Sequence, residues 1–280
     1  MQGMNHKSKA LMAHIVIYLF LALFIVWTVV PVYIIMSNSF RRTIEIKQMP
    51  PKLIFTPTLD HYEKILTLDR FGIYFRNSAI ISVSVTCLTI MLGSMAAYGL
   101  KIFKSRIGKR ISNLLLLGKM VPSITILIPL LIMMNRARLT GTFIAPILTL
   151  SCLSLPFVTW LMTGFIADIP SELIEAASLE GCTRMKIFRI IIVPLLKPAI
   201  ASVIILVMQS SWNELLFSLQ LTNLSTYPLT VGVARYVGAV SVDWGKCSAA
   251  ATITVLPIIR IGFFMQKYLV SGMTAGAVKG

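Results

Sequence analysis

The chain has 280 residues, of which 56% are hydrophobic and 13% charged, and its mean hydropathy is +0.83. That usage lies outside the range of soluble globular domains and marks a polytopic membrane protein. A net charge of +16 would suggest nucleic-acid binding in a soluble chain, but no nucleic-acid module accompanies it, and short basic loops that orient membrane helices account for it.

Residues 1–9 form a polar tail with Lys7 and Lys9, followed by an apolar run from Ala10 to Met36. A basic start before an apolar stretch is also the outline of a signal peptide. This run is too long for one and no small-residue cleavage site follows it, so it predicts a retained first transmembrane helix. Ser37 to Phe71, with Pro50, Pro51, Pro57 and charges of both signs, predicts an extracytoplasmic loop with little regular structure.

Ile73 to Leu100 is the second span. Gly93, Ser94, Ala96, Ala97 and Gly99 at its inner end form a patch of small side chains expected to admit a close helix neighbour. Lys101, Lys104, Arg106, Lys109 and Arg110 then crowd a short loop without an acid, the clearest cytoplasmic marker in the chain. The third span runs from Ile111 to Met134, interrupted by Pro122 and Pro129 and carrying Lys119; the fourth runs from Phe143 to Ala167. Pro198 to Leu219 is the fifth and Cys247 to Val270 the sixth, with an outer segment, Gln220 to Lys246, between them. The pattern predicts an all-α protein with six transmembrane helices and both termini cytoplasmic. Basic residues summed over all loops give only a weak bias, so the orientation rests on the short basic loops. Three regions follow: 1–70 with the first helix and outer loop, 71–270 as the membrane core, and 271–280 as a cytoplasmic tail.

Asp168 to Pro198, DIPSELIEAASLEGCTRMKIFRIIIVPLLKP, is the longest charge-rich stretch between apolar segments of the second half. Pro170 and Glu172 suit the first turn of a helix that Ser171 or Asp168 caps, and Ile174, Ala177 and Ser178 share one small face. Gly181 marks a bend or an end, and a second, basic helix from Arg184 to Ile192 leads to Pro194. The expected arrangement is helix, Gly hinge, helix, lying along a membrane surface.

Glu175-Ala176-Ala177, three residues, Gly181, nine residues, then Ile191-Ile192-Val193-Pro194 resembles the EAA loop of ABC importer membrane subunits, with Val193 where that pattern has Leu. Ser211 to Phe217, SWNELLF, and Gly272 to Gly280, GMTAGAVKG, are similar to segments of the maltose-type sugar permeases, as are Asn77-Ser78 and Gly93 to Tyr98. The resemblance implies a type I ABC importer permease fold. It further implies that Glu175, Ala176, Ala177, Gly181 and Pro194 form the coupling element that docks into a cleft of an ATP-binding subunit. Implied partners are a second homologous permease, an ATP-binding subunit dimer, an extracytoplasmic solute-binding protein and membrane lipid. In such permeases a tail like Gly272 to Gly280 can reach toward the ATPase dimer.

Within the apolar segments, Asn213 and Glu214 in the fifth span, Lys119 in the third and Arg260 in the sixth are expensive unless they face a cavity or a partner, which makes them translocation-path candidates. Counted along continuous helices, Lys119 and Arg260 share a level in the inner half. Trp212 taken alone suits an interfacial belt. Cys87, Cys152, Cys182 and Cys247 are widely spaced, and His6, His14 and His61 do not cluster, so reduced packing cysteines, no metal and no cofactor are expected. No P-loop, HExxH or GxSxG run appears, so the chain is not expected to be an enzyme and its energy is expected to come from a separate ATPase. The rival reading is a secondary transporter or channel working alone.

Overall fold

The computed structural model describes residues 3–48, 50, 54–102, 110–111, 114–115, 117–238 and 241–274, with side chains described between residues 11 and 263. Most of the basic loop after Ile102 and the end of the C-terminal tail lie outside the described residues, as does the reading of that tail as an ATPase contact. In chain order the helices are α1 (Gly3–Ser39), α2 (Thr43–Ile46), α3 (Asp60–Thr67), α4 (Phe71–Ile102), α5 (Ser123–Arg136), α6 (Ile144–Ala167) and α7 (Ser171–Leu179). They continue with α8 (Arg184–Ile187), a π turn (Phe188–Ile192), α9 (Val193–Leu195), α10 (Lys197–Trp212), α11 (Leu216–Leu221), α12 (Leu229–Ala234) and α13 (Trp244–Thr274).

Among the described residues, four helices are long and apolar enough to cross a membrane: α1 from Leu11, α4, α6, and α13 as far as Phe263. Arg184–Leu195 and Lys197–Trp212, bent by 79° at Leu196, make a fifth if they cross as one span. The predicted third span is not one continuous helix. Residues 119–122 leave the helical path, Pro122 adopts φ −59° and ψ 130° ahead of α5, and α5 itself has 14 residues. A proline disfavours the α conformation in the residue before it, which accounts for the break.

The chain separates into two compact units, Met1–Asp69 with Tyr236–Ile253, and Arg70–Arg235 with Thr254–Gly280. In the first, α1 is apolar all round and its membrane-length window has no buried share. Such a helix presents its surface to lipid or to another chain. The loop after α1 is more ordered than expected. Thr58 N donates to Phe40 O at 2.8 Å, Ser39 Oγ and Tyr62 OH are 2.8 Å apart, and His61 Nε2 lies 2.9 Å from Arg41 O. His61 and Ile65, one turn apart, bury one face of α3. In the same unit, Asp69 Oδ2 accepts from Lys246 Nζ and from Tyr236 OH, each at 3.0 Å.

The second unit is built on α4 against α6, with Val85, Val158, Met162 and Ile166 fully buried. A Cβ on Gly93 would lie 2.7 Å from Val158 Cγ1, so the absence of a side chain there sets how near α6 comes. Ser94 and Ala97 are buried with it, but Ala96 is exposed and a Cβ on Gly99 would meet nothing. Three of the five residues of the predicted small-residue patch are therefore buried. Along α4 the hydroxyls of Ser82, Thr86 and Thr89 donate to carbonyls four residues back, at 2.6 to 2.7 Å, which satisfies them in an apolar setting. Near the start of α4, Asn77 Nδ2 donates to Ser225 O and Tyr227 O at 3.0 Å, and Ser78 Oγ accepts from Leu229 N at 2.8 Å. These bonds pin the chain between α11 and α12 to α4.

Candidate functional site

The charge-rich loop leaves the membrane-length helices at the end of α6, where the last carbonyls of a helix lack intrahelical donors. There Ile169 N donates to Ile166 O at 3.2 Å, and Lys101, in the last turn of α4, adds a charged donor: its Nζ donates to Ile166 O at 2.7 Å and also to Ile169 O. An ammonium at a helix C-terminus complements the helix dipole as well. A cavity of about 570 Å³ opens beside this joint, lined among others by Lys101, Asp168, Ser171, Glu172 and Glu175.

Pro170, in an extended conformation (φ −56°, ψ 132°), begins α7 without a side-chain cap, where Ser171 or Asp168 was expected to provide one. Glu172 in the first turn suits the positive end of the dipole. Ala177 is buried and Ile174 half-buried, as the small face required, but Ser178 points out and its Oγ donates to Ile174 O at 2.7 Å. The opposite face stays open: Leu173 is 44% exposed, Leu179 is 90% exposed, and Glu175 and Ala176 are exposed with them.

Gly181 ends α7 rather than hinging it. Its φ is +79°, Gly181 N donates to Ser178 O at 3.1 Å, and Cys182 N donates to Ala177 O at 3.0 Å. This pair of bonds is the Schellman stop, whose left-handed residue is most often glycine. Thr183 then starts α8, its Oγ1 accepting from Lys186 N at 3.3 Å. The predicted second helix is interrupted by the π turn, in which Val193 N bonds to Phe188 O. Exposed Pro194, which lacks an N–H, follows directly and denies the helix one ordinary bond there.

The other candidates lie away from this loop in the sequence, in different local settings. Asn213 and Glu214 are not inside a helix: α10 stops at Trp212, Asn213 is its exposed C-cap, and Glu214 sits in the gap before α11. The Glu214 carboxylate accepts from Phe217 N (2.8 Å), Ser218 N (2.9 Å) and Ser218 Oγ (2.8 Å), thereby satisfying the open N-terminus of α11. Trp212 is buried, not interfacial. Lys119 is exposed and lies in the turn before α5, so the depth counted along an unbroken helix does not hold for it. Arg260 is exposed on α13, which is continuous past it.

Two residues that tie the loop to α4 were not singled out by sequence reasoning. In the sequence Lys101 is only a marker of orientation, and Tyr98, whose ring lies 5.5 Å from that of Phe188, only part of a likeness. Their signal is tertiary, since Lys101 meets partners 65 and 68 residues away.

A family model described as "Binding-protein-dependent transport system inner membrane component" matches residues 89–275, which contain the whole of this loop. The chain belongs to that family. Over 277 residues the permease is 30% identical to the inner membrane ABC transporter permease protein YcjP of Escherichia coli (strain K12), covering 98% of this chain and 99% of YcjP. Over 238 residues it is 33% identical to the trehalose/maltose transport system permease protein MalG of Thermococcus litoralis, covering 82% and 84%. In fold the permease is similar to a chain of a bacterial ABC transporter involved in the import of the acidic polysaccharide alginate, with a TM-score of 0.79 at 19% identity over 92% of this chain and 96% of that one. It is a multi-pass permease subunit of a binding-protein-dependent ABC importer, resident in the cytoplasmic membrane.

Proposed function

We propose that the permease passes a sugar or a related solute through the membrane by alternating access, driven by a dimer of separate ATP-binding subunits. A second homologous permease completes the pathway, and an extracytoplasmic solute-binding protein delivers the solute. The trehalose/maltose and alginate systems among its relatives and structural neighbours support the solute class. Both termini and the Asp168 to Pro198 loop lie on the cytoplasmic side, and residues 71–270 form the translocating core.

The observation that carries this reading is α7, a nine-residue helix stopped by Gly181 that leaves Leu173, Ala176 and Leu179 uncovered while Ala177 is packed inward. An exposed apolar stripe on a short, firmly terminated helix is what a groove on another protein can hold. Glu175, Ala176, Ala177, Gly181 and Pro194 are its coupling residues, and closure of the ATPase dimer moves α7 and reorients the helices joined to it. Asn213, Glu214, Lys119 and Arg260 remain the polar candidates for the pathway or for the second permease.

The test is affinity purification of the complete importer with Leu179→Asp in this chain. The variant should insert normally and lose the ATP-binding subunits. Full retention of them would sink the docking role. Uptake of labelled di- and oligosaccharides by proteoliposomes containing this chain alone, without ATP, would instead favour a stand-alone transporter.

A further inference from the structure

We propose that Lys101 is a positioning residue that passes the motion of the α7 loop to α4. The inference rests on the docking role of α7 given above. The last two turns of α4 grip both arms of the loop. On the incoming arm, the Lys101 ammonium donates to Ile166 O within α6 and to Ile169 O beyond its end, so one cation bridges a membrane-length helix and the segment that leads into α7. On the outgoing arm, the Tyr98 ring packs against Phe188, where the π turn begins. Tyr98 is buried and Lys101 half-buried.

A lysine that merely marks the cytoplasmic side would extend its amine into the headgroups and water. Here the amine turns inward, adding a charged donor to the Ile166 carbonyl, which also accepts from Ile169 N, and to the Ile169 carbonyl just beyond α6. Charge-assisted bonds of this kind are stronger than neutral ones and hold a defined geometry. Ile166, Ile169 and Ala177 belong to one buried apolar cluster, so the joint is continuous with the packed face of α7. When α7 is displaced, α4 is drawn with it through this contact, while the exposed stripe on α7 does the docking.

The experiment uses the complete importer in proteoliposomes, free of other cysteines, with an environment-sensitive fluorophore on Val83→Cys, a position on α4 that is 47% exposed. The change in emission on adding Mg·ATP and vanadate reports movement of α4 without requiring the solute. Lys101→Met should keep the ATP-binding subunits bound while that change falls about tenfold, the scale set by losing charged hydrogen bonds. Lys101→Arg, which keeps a cationic donor, should restore it. An unchanged signal in Lys101→Met, or no ATP-dependent signal in the parent, overturns the proposal. So does failure of Lys101→Met to accumulate or to hold the ATP-binding subunits, which would make Lys101 a folding element. The docking role of α7 is judged separately, by the retention measured with Leu179→Asp.

Discussion

The Trp212 indole, 3% exposed, donates its Nε1–H to Thr254 O at 3.1 Å, fastening the end of α10 to α13 three residues before Pro257. Phe75 meets the same indole edge-on, with ring centroids 5.6 Å apart. Trp212→Phe keeps most of the apolar volume but loses this hydrogen bond, at a cost of about 1 kcal/mol. The purified importer should therefore unfold at least about 2 °C lower in a thermal scan. An unchanged Tm would return Trp212 to a role at the membrane interface.

At Gly181 the requirement is conformational and not steric, because a Cβ there would meet nothing within 4 Å while φ is +79°. Gly181→Val should insert normally, but forcing a branched residue into the left-handed region costs about 1–2 kcal/mol, so retention of the ATP-binding subunits should fall roughly tenfold. Gly181→Asn, which tolerates that region, should stay close to wild type. Equal retention by both variants would remove the Schellman stop from the coupling argument.

Neighbouring residues Asn213 and Glu214 separate by experiment. Glu214→Ala strips the cap from α11 and should lower stability by about 1–2 kcal/mol, read as a fall in Tm. Asn213→Ala, on an exposed cap, should leave Tm unchanged and alter the KM for uptake if the residue lines the pathway. A lowered Tm for Asn213→Ala would assign it to structure.

Orientation is accessible to thiol labelling in a background with Cys87, Cys152, Cys182 and Cys247 replaced. Ile54→Cys, at a position 92% exposed, should react with a membrane-impermeant maleimide in intact cells. Ser178→Cys, exposed on α7, should react only after permeabilisation. The reverse pattern would invert the topology.

Much of the fold was legible because long apolar runs have few alternatives in a membrane: the predicted Ile73 to Leu100 and Phe143 to Ala167 became Phe71–Ile102 and Ile144–Ala167. The interruption at Gly181 was legible for a similar reason, as a bend or an end, but not as a Schellman stop, which needs the backbone bonds to Ser178 and Ala177. Breaks inside apolar runs were harder to see. A hydropathy window passes over Asn213 and Glu214, although two polar residues together were a signal that the helix had ended. In the outer loop the prolines drew attention from His61 and Ile65, whose four-residue spacing gave away α3. Lys101 was legible as a charge but not as a joint, because its acceptors are backbone atoms on a distant segment and no residue type announces them.

The 79° elbow at Leu196 has a mechanical consequence. The arm from Arg184 to Leu195 is about 18 Å long at ordinary helical rise, so a swing of some 10° about the elbow displaces its tip by roughly 3 Å. If the elbow stays stiff, the same rotation is imposed on Lys197–Trp212, whose Trp212 end is bonded to α13. If it bends, the stroke is absorbed at Leu196 and little reaches Trp212. The gear ratio between the swing of this arm and the motion of Trp212 is thus set by how rigid one short turn is, and Leu196, 2% exposed at that turn, is where packing sets it.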